Sequence, residues 1–514
     1  MPSLPSVVAV LSAILTLAVA HRLWHDYSEK HKHTRPPGPS SLPILGSALH
    51  IPKERPWLAF ARWQKPFGEI IQLTVFSRNL VVINSYQLTM ELFDKRSALY
   101  SDRPRRPMAE LCGFGSALLF QNYNSTARQA RKLMHSELSV KGTQPHRVLQ
   151  ESEARAFARR VLDDPASFRD HLRRATASSL LAITYGHTVE NDDDHLVSLS
   201  ELVMNSLAEV ITPNRFLVDS LPFLKYVPAS FPGAAFQRTA QTCKRNLYKF
   251  MDLPFAEVKK KVAEGFATPS FTSNHLQGRV DSISQQEEEV LKWTAGGIFA
   301  AGSDTTISVL TSFILAMLLH PKAQAKAQAE IDSLLGPNTL PTFHDRERLP
   351  YVECIIKEVL RWNPAAPLVA HTTRMDDEIN GYRIKAGSVV MANIWAFTHD
   401  PSMYSSPSEF NPDRFMHHPD DPTRIPPPDP RSYVFGFGRR SCPGINLADA
   451  LVYIMVVTTL AVFDISPALD ENQMPIIPEV EYSTGAVSHP RPFRCNITPR
   501  SQNAAMMIKY ATEA

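Results

Sequence analysis

The sequence predicts a mainly α-helical fold with a small β region, preceded by one N-terminal membrane helix. Three observations predict it. Most of the body reads helical, the β-type runs are confined to two short regions, and no charged side chain occurs between Met1 and Ala20. The 514 residues carry 54 Lys and Arg against 51 Asp and Glu, a net charge of +3. So little excess charge argues against a partner such as nucleic acid, held by bulk phosphate attraction. With 44% hydrophobic residues the chain is too apolar to be disordered. Its 41 prolines exceed the usual share of roughly 5% and predict many helix boundaries and rigid loops. At roughly 150 residues per domain, length alone suggests about three domains. The pattern instead reads as an anchor (1–24), a basic, Pro-rich hinge (25–46) and one large domain (47–514).

The apolar run from Val7 to Ala20, extended by Leu23 and Trp24, has the roughly 20-residue length that crosses a bilayer core. Arg22, Lys30, Lys32 and Arg35 follow it and place the next segment in the cytosol. The competing reading is a cleaved signal peptide, which should open on a positive segment; none is present. Arg35-Pro36-Pro37-Gly38-Pro39 is then stiff and extended.

In the body, Ile70–Val75 and Leu80–Ile83 flank a polar turn at Ser77-Arg78-Asn79 and predict a β-hairpin. Helices are expected over Ala127–Leu138, Glu153–Leu162, Gln285–Leu319, Lys322–Leu335 and Tyr351–Trp362. A second extended region covers Glu378–Asn393, and the proline-dense stretch Pro401–Arg431 predicts an ordered meander without regular elements. The five cysteines (112, 243, 354, 442 and 495) form no CxxC pair. That excludes a disulfide scaffold, a zinc ribbon and an iron–sulfur cluster, and fits a reducing compartment.

The run Phe435-Gly436-Phe437-Gly438-Arg439-Arg440-Ser441-Cys442-Pro443-Gly444 is the most informative. Its glycines allow tight turns, and close backbone approach lets amide N–H groups point at the sulfur, as donors that tune a metal-bound thiolate do. A helix from Ile445 onward would bring its N-terminal dipole to the same place. The plainer reading is a structural cysteine in a Gly-rich loop, but the spacing F-x-x-G-x-R-x-C-x-G is met at every fixed position.

With this decamer the chain resembles the cytochrome P-450 superfamily of haem-thiolate monooxygenases, over nearly all of Pro36 to Pro499. The resemblance implies the cytochrome P-450 fold, haem b as cofactor and Cys442 as the axial thiolate of its iron, with Phe435 and Gly438 in the cofactor loop. The centre of the long helix, Ala301-Gly302-Ser303-Asp304-Thr305-Thr306, matches the family's A/G-G-x-D/E-T-T pattern. Thr305 would then hydrogen-bond dioxygen and Asp304 would relay protons, while Ala301 and Gly302 leave room above the haem. Taken as a sequence, the polar patch predicts a loosened ladder and a groove, and the alternative is a second membrane span carrying one Asp. Glu358 and Arg361 share a helix face at i,i+3; with Asn411-Pro412-Asp413-Arg414-Phe415 they match the family's structural cluster, so Glu358, Arg361 and Arg414 are scaffold. Arg131, His371 and Arg440 match positions that meet the haem propionates. Ala127 departs from the pattern, since the family has Trp there.

By analogy the substrate pocket takes Met108–Phe120, Phe216-Leu217, Ile298-Phe299, Ala366–Val369 and Thr484–Val487, mostly apolar, for a lipophilic small molecule. Arg128, Lys132 and Arg439 are candidates for a basic docking face, or are simply solvated charges. The layout resembles microsomal members, single-pass in the endoplasmic reticulum membrane with a cytosolic catalytic domain. These take electrons from NADPH-cytochrome reductase, with cytochrome b5 as a further donor. The style, including Phe223–Pro228 and Phe231–Ala234, resembles fungal members of specialised-metabolite pathways, with terpenoid or aromatic scaffolds as substrates. Two other classes stay open: a haem-thiolate isomerase or dehydratase, and a non-catalytic haem-binding protein. Two sequons, at Asn124 and Asn496, would stay unused in the cytosol.

Overall fold

The computed structural model describes residues 34–510 apart from 77, 191–193, 213–214, 337, 418–420 and 422. The expected anchor therefore lies outside the described residues. The chain forms two compact units, where the sequence suggested one: Leu368–Ala396 joins the chain up to Pro104, and the rest forms the second.

The first unit holds helix α1 (Pro56–Phe67) and a four-stranded sheet, order β1-β2-β6-β3. Its strands are β1 (Ile70–Val75), β2 (Arg78–Ile83), β3 (Leu368–Thr372) and β6 (Val389–Asn393); β4 (Asp377–Ile379) and β5 (Tyr382–Ile384) pair separately. The hairpin is tighter than expected. Val75 pairs with Arg78, so Arg78 and Asn79 belong to β2, and Phe76 bends the chain at a φ of 53°. Phe60, Ile71, Leu73 and Val82 form the core of this unit. The Pro-rich stretch is tied to β1: Gln72 N–H donates to Pro37 O at 2.8 Å, and Gly46 bridges Val75. β3 has no alternating pattern to announce it; its register, His371 opposite Val390, comes from pairing with β6.

The second unit is helical. Its main helices are α2 (Ser125–Leu138), α3 (Arg147–Asp163), α4 (Phe168–Tyr185), α5 (His195–Ile211), α6 (Ala235–Ala263), α7 (Gln285–Leu319), α8 (Pro321–Leu335), α9 (Pro350–Trp362), α10 (Ile445–Val462) and α11 (Gln502–Tyr510). A three-stranded sheet, order β8-β7-β9, adds β7 (Phe463–Leu469), β8 (Pro475–Ile476) and β9 (Cys495–Pro499). α7 begins at a capping box: the Ser284 hydroxyl accepts from Glu287 N–H and the Glu287 carboxylate accepts from Ser284 N–H. It packs along α4 and crosses α6, α9 and α10. Both α7 and α10 are long and apolar enough to cross a membrane, yet both are mostly buried by the rest of the protein. α7 is thus a core helix, not a second span. Among the described residues of 401–430, the one regular element is the single turn Pro412–Phe415, as a proline-dense meander predicts.

Candidate active site

Cys442 sits between the single turn Gly438–Arg440 and the start of α10. Gly436 and Gly438 have φ of 77° and 51°, in the region L side chains avoid, and so fold the loop back on itself. The Cys442 N–H closes the turn on Phe435 O at 2.7 Å. Burial pushes the Cys442 thiol up, opposed by the backbone at Gly444 and by the charge of the nearby Arg131.

Arg131 reaches this loop from α2. Its Nη1 donates to Ser441 O at 3.0 Å. Burial draws its guanidinium below the ordinary value, opposed by Tyr123 and Cys442. Arg440 is buried, donates through Nη1 to Leu118 O at 3.2 Å and through Nη2 to Gln121 O, and lies 5.5 Å from the Tyr123 ring centre. Much of its donor capacity thus secures the 118–121 segment. A cavity of ≈ 570 Å³ is lined by Arg131, Ser139, Ser441, Cys442 and Asn446, among others. Arg128, Lys132 and Arg439 are exposed in the same unit. His371, in the first unit, is buried in β3 and stacked on Phe93 at 4.1 Å.

The middle of α7 opens along one stripe. Gly297, Ala300, Ala301, Asp304 and Thr305 keep accessible surface, whereas Gly296, Ile298, Phe299, Ser303 and Thr306 beside them are buried. Their spacing of three and four places them on one helix face. The helix is unbroken here, so the predicted loosening does not occur; the Thr305 hydroxyl donates to Ala301 O at 2.8 Å within the ladder. Two further expectations need correcting. Gly302 does not face open space, since a Cβ there would meet Leu180 of α4 at 3.0 Å, whereas at Gly297 it would meet nothing. Ile298 and Phe299 are core: Phe299 is fully buried and stacked on Phe250 of α6 at 5.4 Å. Gly297 and Ala301, which keep accessible surface, line the stripe instead.

Glu358, Arg361 and Arg414 form one buried charge cluster. Glu358 and Arg361 are both 0% exposed and Arg414 is 9% exposed. Arg361 holds Glu358 through two bonds of 2.8 Å, and Arg414 Nε adds one of 3.2 Å. The remaining guanidinium donors meet backbone carbonyls of the meander and of the turn before it: Thr398, Pro407 and Glu409 for Arg361, Ser405 and Glu409 for Arg414. A second network escaped the sequence reading. Arg431 bonds Asp449 and Glu353 at 2.7 Å, and Arg346 bonds the same two carboxylates at 2.7 and 3.1 Å. It ties the residues before the cysteine loop to α9 and α10. Cys112 and Cys243, distant in sequence, are neighbours in the core, and the neighbouring thiol together with burial pushes the Cys112 thiol up. Ala127 is fully buried in the first turn of α2, which Asn124 caps.

These residues fit a haem. One sulfur stands in a preformed cradle, two cations stand close by, and a helix face is left open. Among the described residues no three His, Cys, Asp or Glu side chains gather to hold a bare ion. Comparison with known proteins agrees. Residues 36–497 match the family described as Cytochrome P450. The chain is 40% identical over 479 residues to "Cytochrome P450 monooxygenase 208" of Postia placenta, covering 92% of each. It is 38% identical over 509 residues to "Cytochrome P450 monooxygenase claR" of Ampulloclitocybe clavipes, covering 98% of this chain and 93% of that protein. It is 37% identical over 481 residues to "Cytochrome P450 monooxygenase ppsD" of Aspergillus oryzae, covering 92% and 90%. The chain belongs to the cytochrome P450 family of haem-thiolate monooxygenases.

Proposed function

We propose that this P450 inserts one oxygen atom into a lipophilic small molecule of fungal specialised metabolism, a terpenoid being one example, with Cys442 as the axial ligand. The observation that carries the reading is the loop at Cys442, folded back at Gly436 and Gly438, closed by the Cys442 N–H on Phe435 O at 2.7 Å and secured by Arg131 at Ser441 O at 3.0 Å. The haem, when bound, supplies dioxygen activation in the net reaction RH + O2 + NADPH + H+ → ROH + H2O + NADP+.

The chain's own residues do the rest. Arg131, Arg440 and His371 neutralise the propionates, and Phe435 and Gly438 shape the loop around the sulfur. Gly297 and Ala301 leave space for substrate over the α7 stripe. Thr305 presents a hydroxyl on that stripe, and Asp304 beside it supplies protons, which is general-acid work at hydrogen-bond range. Glu358, Arg361 and Arg414 hold the meander and take no part in the chemistry. Residues 1–24 anchor the protein in the endoplasmic reticulum membrane with its body in the cytosol. NADPH-cytochrome reductase supplies electrons there, with cytochrome b5 as a second donor. The exposed Arg128, Lys132 and Arg439 suit an acidic reductase surface.

The test is the carbon-monoxide difference spectrum of the reduced protein. A strongly red-shifted Soret band in the parent, lost in Cys442→Ser, is expected. A band at the position of histidine-ligated haem in the parent would overturn the assignment. Turnover without reductase would point to an isomerase or dehydratase.

A further inference from the structure

Asp304 has a partner that the α7 motif does not contain. Its Oδ1 lies 3.0 Å from Nε2 of His489, with side-chain exposures of 28% and 30%. Pairs this open are usually worth little, because two mobile side chains must be ordered. Here the backbone carrying the histidine is fastened to α7 itself. Ser308, one turn beyond Asp304, donates its hydroxyl to Ser488 O at 2.6 Å, and both serines are 0% exposed. Asn363 Nδ2 donates to the same carbonyl at 3.3 Å, and Ser488 N–H donates to Ala365 O at 2.9 Å. His489 N–H donates to Ser483 Oγ at 3.0 Å, while Ser483 N–H donates to His489 O at 2.7 Å. Cα and Cβ of the histidine are thus fixed relative to the helix turn that bears Asp304. Only its two side-chain torsions remain to be ordered.

We propose that His489 is the positioning residue of Asp304. Its Nε2–H donates to Oδ1 and holds the carboxylate on the solvent-facing edge of the open stripe, beside the loop 483–491. Asp304 takes up protons from water at that edge and passes them toward Thr305. The proposal rests on the role of Asp304 given above and extends it to a residue that touches neither substrate nor haem. Two protons and two electrons per O2 accompany productive turnover; the same count without oxygen insertion releases H2O2. A carboxylate no longer held delivers protons more slowly, and the balance moves toward peroxide.

The experiment uses the full chain with NADPH-cytochrome reductase, NADPH and oxygen, in H2O and in D2O. The proteins are the parent, His489→Leu, His489→Gln, Asp304→Asn and the Leu/Asn double variant. All should keep the parent's carbon-monoxide spectrum, because none of these changes touches Cys442. His489→Leu is expected to slow NADPH oxidation on the order of tenfold, the low end of effects from removing a supporting hydrogen bond. It should also raise the solvent isotope effect and the share of oxygen released as H2O2. His489→Gln keeps an N–H donor at the Nε2 position and should recover most of the loss. As a readout independent of turnover, the Tm losses of the two single variants should not add in the double variant. Parent-like oxidation by His489→Leu, an equal defect in the Leu and Gln variants, or additive Tm losses would each overturn the proposal. If Asp304→Asn itself behaves like the parent, the role of Asp304 is what fails.

Discussion

Replacing Glu358 by Gln tests the meander lock most directly. The carboxylate accepts from Arg361 twice at 2.8 Å, from Asn411 N–H at 2.7 Å and from Arg414 Nε at 3.2 Å. Gln is nearly isosteric, but it removes the one anion facing two buried guanidinium groups and turns an NH2 donor toward other donors. Breaking a buried pair from one side costs about 3–5 kcal/mol, because the surviving charge keeps its desolvation penalty. Folded domains hold roughly 5–15 kcal/mol in all, so the loss is a large fraction of total stability. Arg374→Ala serves as the control. Its bidentate pair with Asp102, at 2.6 and 2.8 Å, has equally good geometry, but Arg374 is 41% exposed. Removing such a pair should cost under about 1 kcal/mol. The assay is denaturant unfolding of both variants followed by circular dichroism, with the carbon-monoxide spectrum reporting haem retention. Equal midpoint shifts for the two variants, or a Glu358→Gln shift below about 1 kcal/mol, would refute the argument that burial rather than geometry sets the energy.

Neighbouring glycines of α7 should respond in opposite directions. A Cβ at Gly296 would run into the Sδ–Cε end of the buried Met251, which must turn aside, so Gly296→Ala should destabilise by about 1 kcal/mol, the low end of overpacking. Gly297→Ala meets no atom and should gain up to about 1 kcal/mol of helix propensity, while titration with a series of ligands should show bulky ones excluded. Burial raises the Asp449 carboxyl, but Arg431 and Arg346 outweigh it and hold the group below its ordinary range. Its stabilising contribution is therefore complete above the unfolded value of about 3.9 and lost as pH falls below it. Asp449→Asn should lose roughly 1.5–3 kcal/mol at neutral pH and show a flatter acid limb in a Tm-against-pH series. Ala127→Trp, which restores the family residue at a fully buried position, should lower Tm rather than raise it; a gain would mean that unfilled space lies beside Ala127.

What could be read from the sequence depended on how local the determining interactions are. Helix α7 was legible to the residue because its length and its apolar run lie within one continuous stretch. The bend at Cys442 was legible because glycines record the need for positive φ in the residue type itself. The Glu358 cluster was visible only because its members match a known pattern; i,i+3 spacing alone does not reveal burial. β3 and β7 were not legible. β3 is defined by its partner β6, and β7 follows α10 with no turn residue between them, so one apolar run hides the change of period.

The chain by itself determined the sulfur, the open stripe's residue types and the helical class, since these depend on side-chain identity and on neighbours within a turn or two. Tertiary packing alone decided which glycine of α7 faces space and which faces Leu180, because that depends on how α4 and α6 lie against the helix. It also brought His489 to Asp304 and Arg431 to Asp449, pairs whose members belong to separate elements. No periodicity links such residues; they meet because packed helices and their fastened loops leave one place for each charged side chain to be satisfied.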